Sequence, residues 1–220
     1  MLIDLFSKEN SEEFTVHFNP PINIGQNGKI ALINCSLWRS WFNINDSNNL
    51  LAVKINNIWK DIKISPGIYS VTDLNDALLT DQVTIEENFN LLKVQIRLQP
   101  GVELDLKKSQ LHAILGFKPQ ILTEEVSVGE LQPNITNSVD KLQVHCSAVQ
   151  GSYINNISSD VLYTFIPEAA PGELINITPS NPIFVDCYPN LNQITMKVTD
   201  QSGRLIKLNN EMVTYTLELN

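Results

Sequence analysis

Strict alternation of apolar and polar residues constrains this chain more than any other feature. In Phe14-Thr15-Val16-His17-Phe18 every second residue is apolar. Successive side chains of a strand point to opposite faces, so the pattern specifies a strand with one buried face. Pro20-Pro21 is expected to end it, because proline cannot donate to a ladder. Lys29–Trp38 reads as a second strand, with Ala31, Ile33, Cys35 and Leu37 on one face. Ile30 and Leu32 make its first half apolar on both faces, as for a strand buried on two sides. Similar runs recur at 50–55, 59–64, 82–86, 91–98, 142–149, 161–165, 174–177, 183–186, 194–199, 205–208 and 212–219. Asn-Asn, Pro-Gly and Gly-Ser clusters separate them and supply turn chemistry. Short strands with turn signals every roughly 8–12 residues indicate an all-β sandwich or barrel.

The last of these runs are the most regular. Ile194, Met196 and Val198 are expected to face a core, and so are Val213, Tyr215, Leu217 and Leu219. Asp200-Gln-Ser-Gly203 between them reads as a type I turn closed by glycine at positive φ. Two segments break the alternation. Val71, Leu74 and Leu78 have helical spacing behind a Ser70 or Thr72 cap, with Asp73 suited to the positive end of the helix dipole. Leu111, Ile114 and Leu115 follow a Ser109 cap, and Gly116 sits where a helix would stop. Both read as short crossover helices.

A length of 220 residues, 43% of them hydrophobic, is enough to bury a substantial core. No linker, low-complexity run or repeat interrupts the chain, so residues 1–220 are expected to form one domain with no large insertion. A net charge of -9 argues against a broad surface for nucleic acid, which needs clustered Lys and Arg. The first residues lack the basic n-region of a secretory signal. No stretch approaches the ~20 apolar residues of a membrane span. The three cysteines, Cys35, Cys146 and Cys187, are distant and odd in number, which suggests reduced thiols and not a disulfide framework. Asn-x-Ser/Thr triplets at Asn34, Asn45, Asn134, Asn156 and Asn176 read as chance matches in an Asn-rich chain.

A search for chemistry returns little. Among the three histidines, His145 precedes Cys146, but adjacent strand residues face opposite ways and cannot share a proton or a metal. No zinc-ligand spacing, phosphate-binding glycine loop or Gly-x-Ser-x-Gly elbow is present. The acidic pairs Glu86-Glu87 and Glu124-Glu125 read as solvated strand ends. Asn43-Ile-Asn45-Asp-Ser47 begins like a calcium loop but lacks its Gly and terminal Glu. No catalytic, cofactor or metal residue is assigned. The aromatic group Trp38, Arg39, Trp41 and Phe42 is the candidate site. It reads either as core packing or as an anchor at a subunit interface, where Trp, Phe and Arg are enriched. Carbohydrate stacking is a third reading.

Four ordered segments, Leu111–Phe117, Cys146–Asn156, Leu162–Glu173 and Ile194–Asn220, together resemble the penton (minor capsid) proteins of Polintons (Mavericks) and adintoviruses. Ile64–Leu78 is similar to the same family's strand, turn and short helix. The resemblance implies a single jelly roll of two antiparallel four-stranded sheets without catalysis or cofactor. It further implies a homopentamer at the vertices of an icosahedral virion, surrounded by a double-jelly-roll major capsid protein and assembled inside the host cell. The alternative is a jelly-roll module that recognises carbohydrate or a protein. A cupin-like metal enzyme is a third, for which three isolated histidines are poorly placed.

Overall fold

The computed structural model describes residues 1–7, 12–108, 110–135 and 139–220. In chain order its elements are β1 (Leu2–Phe6), β2 (Glu13–Asn23), β3 (Lys29–Trp38), β4 (Leu50–Ile55), β5 (Ile58–Lys63), α1 (Val71–Ala77), β6 (Val83–Asn88), β7 (Lys93–Leu98), β8 (Glu103–Asp105), α2 (Leu111–Ile114), β9 (Ile121–Leu122) and β10 (Val126–Val128). They continue with β11 (Leu142–Cys146), β12 (Ser152–Ile154), β13 (Ile157–Ser159), β14 (Val161–Phe165), β15 (Leu174–Ile177), β16 (Val185–Asp186), β17 (Asn190–Asp200) and β18 (Thr214–Leu219). The single domain expected over 1–220 divides into two compact units, Met1–Trp41 with Val139–Asn220, and Phe42–Ser138. The second is inserted between the third and fourth main strands of the first. This departs from the reading that no large insertion is present. No change of composition marks its borders, because the division lies in which residues touch and not in a linker.

The first unit is a jelly roll. One sheet runs β1-β18-β3-β15, with β16 also on β3, and the other runs β14-β11-β17-β2. Every pairing is antiparallel. β15 and β16 lie on successive stretches of β3 and act as one interrupted strand. Consecutive main strands mostly alternate between the two sheets, and the first strand pairs with the last. The core between the sheets holds Ile194, Met196 and Val198 from β17, facing Val213, Tyr215, Leu217 and Leu219. These are the inward positions read from the alternation. A fully buried side chain of this kind contributes roughly 1.5–3 kcal/mol.

Two local readings change. The register of β3 against β18 slips between Thr216 and Leu217, which leaves Ile33 as an extra residue. The core therefore receives Ile30 and Leu32, then Cys35 and Leu37, and the expected face of Ala31 and Ile33 belongs elsewhere. A bulge reverses the phase of a strand and cannot be read from period two alone. Pro20-Pro21 does not end β2. The strand runs through them to Asn23, and its partner slips register between Leu191 and Gln193. β2 is an edge strand, where a missing donor costs no ladder bond.

The second unit carries the sheets β5-β4-β8-β9 and β10-β7-β6. Its own apolar core takes Leu51, Val53, Ile85, Ile96 and Leu104 from the strands, with Val71, Leu74, Leu111 and Ile114 from the helices. α1 begins in a capping box: the Ser70 hydroxyl accepts from the Asp73 amide, and the Asp73 carboxylate accepts from the Ser70 amide. The expected Ser109 cap of α2 lies outside the described residues. Gly116 follows that helix at φ +77°, and a Cβ there would meet the Leu131 carbonyl oxygen at 2.5 Å, so the position requires glycine.

Candidate functional site

The aromatic group at the end of β3 separates into buried and exposed parts. Trp41 is 8% exposed and packs in the jelly-roll core, which removes it as an exposed anchor. Arg39 is committed internally. Its amide donates to the Glu173 carbonyl (2.9 Å), its carbonyl accepts from the Gly172 amide (2.8 Å), and its guanidinium donates to the Ala169 carbonyl. The guanidinium carbon also lies 5.9 Å from the centre of the Trp41 ring, a cation–π contact worth roughly 0.5–1 kcal/mol. The Ser40 hydroxyl donates to the Leu208 carbonyl and the Asn209 amide group donates to the Ser40 carbonyl, so the whole turn is pinned.

Trp38 and Phe42 stay exposed, at 41% and 39%. Trp38 is paired across the ladder with Leu174, which is also exposed. Beside this pair, Tyr163, Phe165, Ile166, Leu174, Ile175 and neighbouring residues line a groove of about 450 Å³. The groove lies between β14 and β15, the edge strands on one flank of the two sheets. The opposite flank is formed by β1 and β2, where Leu2 and Phe6 are exposed. Edge strands carry unpaired backbone groups, so both flanks are able to receive another chain. Trp38 was readable as a candidate, but Leu174 and the groove depend on strand order, which one sequence does not reveal.

A polar network lies on the other face of β11. His145 Nδ1 is 2.6 Å from Asp160 Oδ1, and His145 Nε2 is 2.9 Å from Thr199 Oγ1. Hydroxyl, imidazole and carboxylate thus stand in the order of a nucleophile, its base and the group that orients the base. The Thr199 hydroxyl is buried, and its single proton has a second acceptor in the Asp200 carbonyl (3.1 Å); when it is given there, the oxygen accepts from His145 Nε2 and is not activated by it. The arrangement staples β17, β11 and the residue before β14. Burial pushes the Asp160 pKa up, but the hydrogen bond and charge of His145 outweigh it and hold the carboxyl below its usual range. Cys146 points into the core away from His145, as strand geometry requires. Burial raises both the Cys35 and Cys146 thiols to about 12, which keeps them protonated and poor nucleophiles at neutral pH.

Other polar groups are similarly internal. Asn34 and Asn176, both in Asn-x-Ser/Thr triplets, bond to one another across β3 and β15 (2.9 Å). Trp59 in the second unit is half-exposed, with the Lys54 and Lys108 ammoniums 5.9 and 5.6 Å from its ring centre. Among the described residues no cluster of three or more His, Cys, Asp or Glu could hold a metal. No helix among them is long and apolar enough to cross a membrane.

No protein-family model and no curated protein sequence matches the chain. Among solved structures, the crystal structure of the selenomethionine-labelled mavirus penton protein is similar over 99% of this chain and 98% of its own, with a TM-score of 0.51 and 10% sequence identity. The likeness is one of fold, and it spans both the jelly roll and the inserted unit.

Proposed function

We propose that this chain is a penton (minor capsid) subunit, a structural protein without catalytic activity that forms homopentamers at the vertices of an icosahedral particle of the Polinton and adintovirus kind. The whole-length likeness to the mavirus penton protein carries this reading. The resemblance of the ordered segments between Leu111 and Asn220 supports it independently. In this reading the chain is made and assembled inside a host cell, and its other partner is a double-jelly-roll major capsid protein.

A five-fold ring needs a heterologous contact: one flank of each copy meets the opposite flank of the next, and the rotation closes. The jelly roll offers two such flanks. Trp38, Leu174 and the groove between β14 and β15 form one, and the exposed Leu2 and Phe6 of β1 lie on the other. Mass photometry and electron microscopy of the purified chain, alone and with the major capsid protein, test the reading. Pentamers, or their appearance on co-assembly, are expected. A strictly monomeric chain at high concentration that also fails to enter shells sinks it.

A further inference from the structure

The two sheets of the jelly roll differ at their edges. In one sheet both edges are blunted: β2 carries Pro20-Pro21 and a register slip, and the pairing of β14 with β11 slips between Val144 and His145. Prolines and bulges of this kind discourage the addition of a further strand. The edges of the other sheet, β1 and β15, have neither feature. Antiparallel partners exchange hydrogen bonds at every second residue. The Leu219 amide donates to the Met1 carbonyl (2.8 Å) and the Ser7 amide to the Val213 carbonyl (2.9 Å), which turns the N–H and C=O of Leu2, Asp4 and Phe6 away from β18. The Arg39 amide donates to the Glu173 carbonyl (2.9 Å), which likewise turns those of Leu174 and Asn176 away from β3. All five of these residues are exposed. Three antiparallel pairings separate β1 from β15, so the two open edges run in opposite directions.

We propose that β1 of one copy of this chain adds to β15 of the next as an antiparallel strand, so that a single sheet runs across the contact. One register suits both edges: Phe6 opposite Leu174, and Asp4 opposite Asn176. Phe6 then extends the exposed pair of Leu174 and Trp38 into an apolar row across three strands. The polar pair is complementary as well. The Asn176 side-chain oxygen accepts from Asn34 (2.9 Å), which leaves its NH2 group to donate. Asp4 Oδ1 accepts from the Thr216 hydroxyl (2.8 Å), which leaves Oδ2 to accept. On the inner face the half-buried Ile3 comes beside Ile177, at the groove between β14 and β15. A second copy is the occupant because this molecule itself carries the matching edge. Pairing of β1 with β1, Leu2 on Phe6, would instead set Asp4 against Asp4, and like charges directly opposite are destabilising. The contact is therefore head to tail, and such contacts form rings when the rotation closes. Closure at five copies rests on the penton reading. Few residues pair at each contact, so a single contact is weak and closure supplies the avidity.

The test is disulfide trapping in the full chain, whose own cysteines are buried. Opposed residues that exchange hydrogen bonds have Cα atoms about 5.5 Å apart, within disulfide reach. Asp4→Cys combined with Asn176→Cys is expected to give covalently linked copies under mild oxidation. Asp4→Cys combined with Leu174→Cys, out of register at roughly 8–9 Å, is expected to link at least tenfold less. Phe6→Ala is expected to leave the Tm of the monomer unchanged and to weaken association about tenfold. Mass photometry reads the size of each assembly, for the chain alone and with the major capsid protein. Pentamers that lack the link between positions 4 and 176, or that link equally well through 174, overturn strand addition and leave the penton reading standing. Linked assemblies of another size support strand addition and overturn the penton reading. Unlinked monomers under every condition overturn both.

Discussion

The buried carboxylate of Asp200 organises the turn that leads out of β17, and replacing it by asparagine isolates its charge. Asp200 Oδ1 accepts from the Ser202 amide (2.8 Å), the Ser202 hydroxyl (2.6 Å) and the Arg204 amide (3.0 Å). Oδ2 accepts from Arg204 Nε at 2.6 Å. In Asp200→Asn the remaining oxygen keeps the first set, but an amide donor then faces the guanidinium. A hydrogen bond to a charged group is worth about 1.5–3 kcal/mol. Arg204 is more than half exposed, so water screens part of this. The net cost is about 2 kcal/mol at pH 7, or roughly 4–8 °C in Tm at this chain length. Urea unfolding followed by a probe in the jelly-roll unit measures it.

The pH dependence supplies a second check on the same substitution. Burial pushes the Asp200 carboxyl up, but the hydrogen bonds from Ser202 and Arg204 more than reverse this, and its folded pKa lies below the ordinary value. The unfolded chain therefore takes up the proton first as pH falls. The stabilisation is fully present above the unfolded pKa of about 4 and is lost as pH drops through the folded one. The gap between wild type and Asp200→Asn should be constant from neutral pH down to about 5 and shrink below about 4. A gap under about 0.5 kcal/mol at pH 7, or one unchanged under acid conditions that leave both proteins folded, refutes the assignment.

Gly203 donates its amide to the Asp200 carbonyl at 3.0 Å with φ +81°, and a Cβ there meets nothing within 4 Å. Gly203→Val should therefore cost about 2 kcal/mol from conformation alone, with Gly203→Asn recovering most of it in the same urea experiment. The Tyr215 hydroxyl is buried and finds no hydrogen-bond partner among the described residues. Tyr215→Phe is thus expected to be neutral or stabilising by up to about 1 kcal/mol, and a marked loss in Tm would reveal a hidden partner. Trp41→Ala should cost about 3–5 kcal/mol. Trp38→Ala should leave monomer stability within about 0.5 kcal/mol yet weaken the proposed pentamer in mass photometry, and the reverse ranking would remove Trp38 from the proposed contact surface.

Where strands keep a regular phase, alternation placed side chains correctly. Ile194, Met196 and Val198 face inward because the slip in β17 comes before them, between Leu191 and Gln193. In β3 the same logic fails at Ile33, where one extra residue inverts the face. β1 shows no alternation, since Leu2-Ile3-Asp4-Leu5-Phe6 has a single polar residue, and its strand character comes from pairing with β18. The inserted unit was invisible for a related reason: its borders at Trp41 and Val139 are set by long-range contacts. At the candidate site, alternation kept His145 apart from Cys146. It had no means of bringing in Asp160 and Thr199, which are 15 and 54 residues away. The aromatic group was found by composition alone, and composition does not distinguish a core tryptophan at 41 from an exposed one at 38.

The pairing of β1 with β18 sets a schedule for synthesis on the ribosome. β1 emerges early but has no sheet to join until Thr214–Leu219 has followed it out. The inserted unit is contiguous, Phe42–Ser138, with strand partners and helices close in sequence. Short-range closure is the less costly in chain entropy. The insertion therefore matures first, while the jelly roll waits, open-edged, for β18.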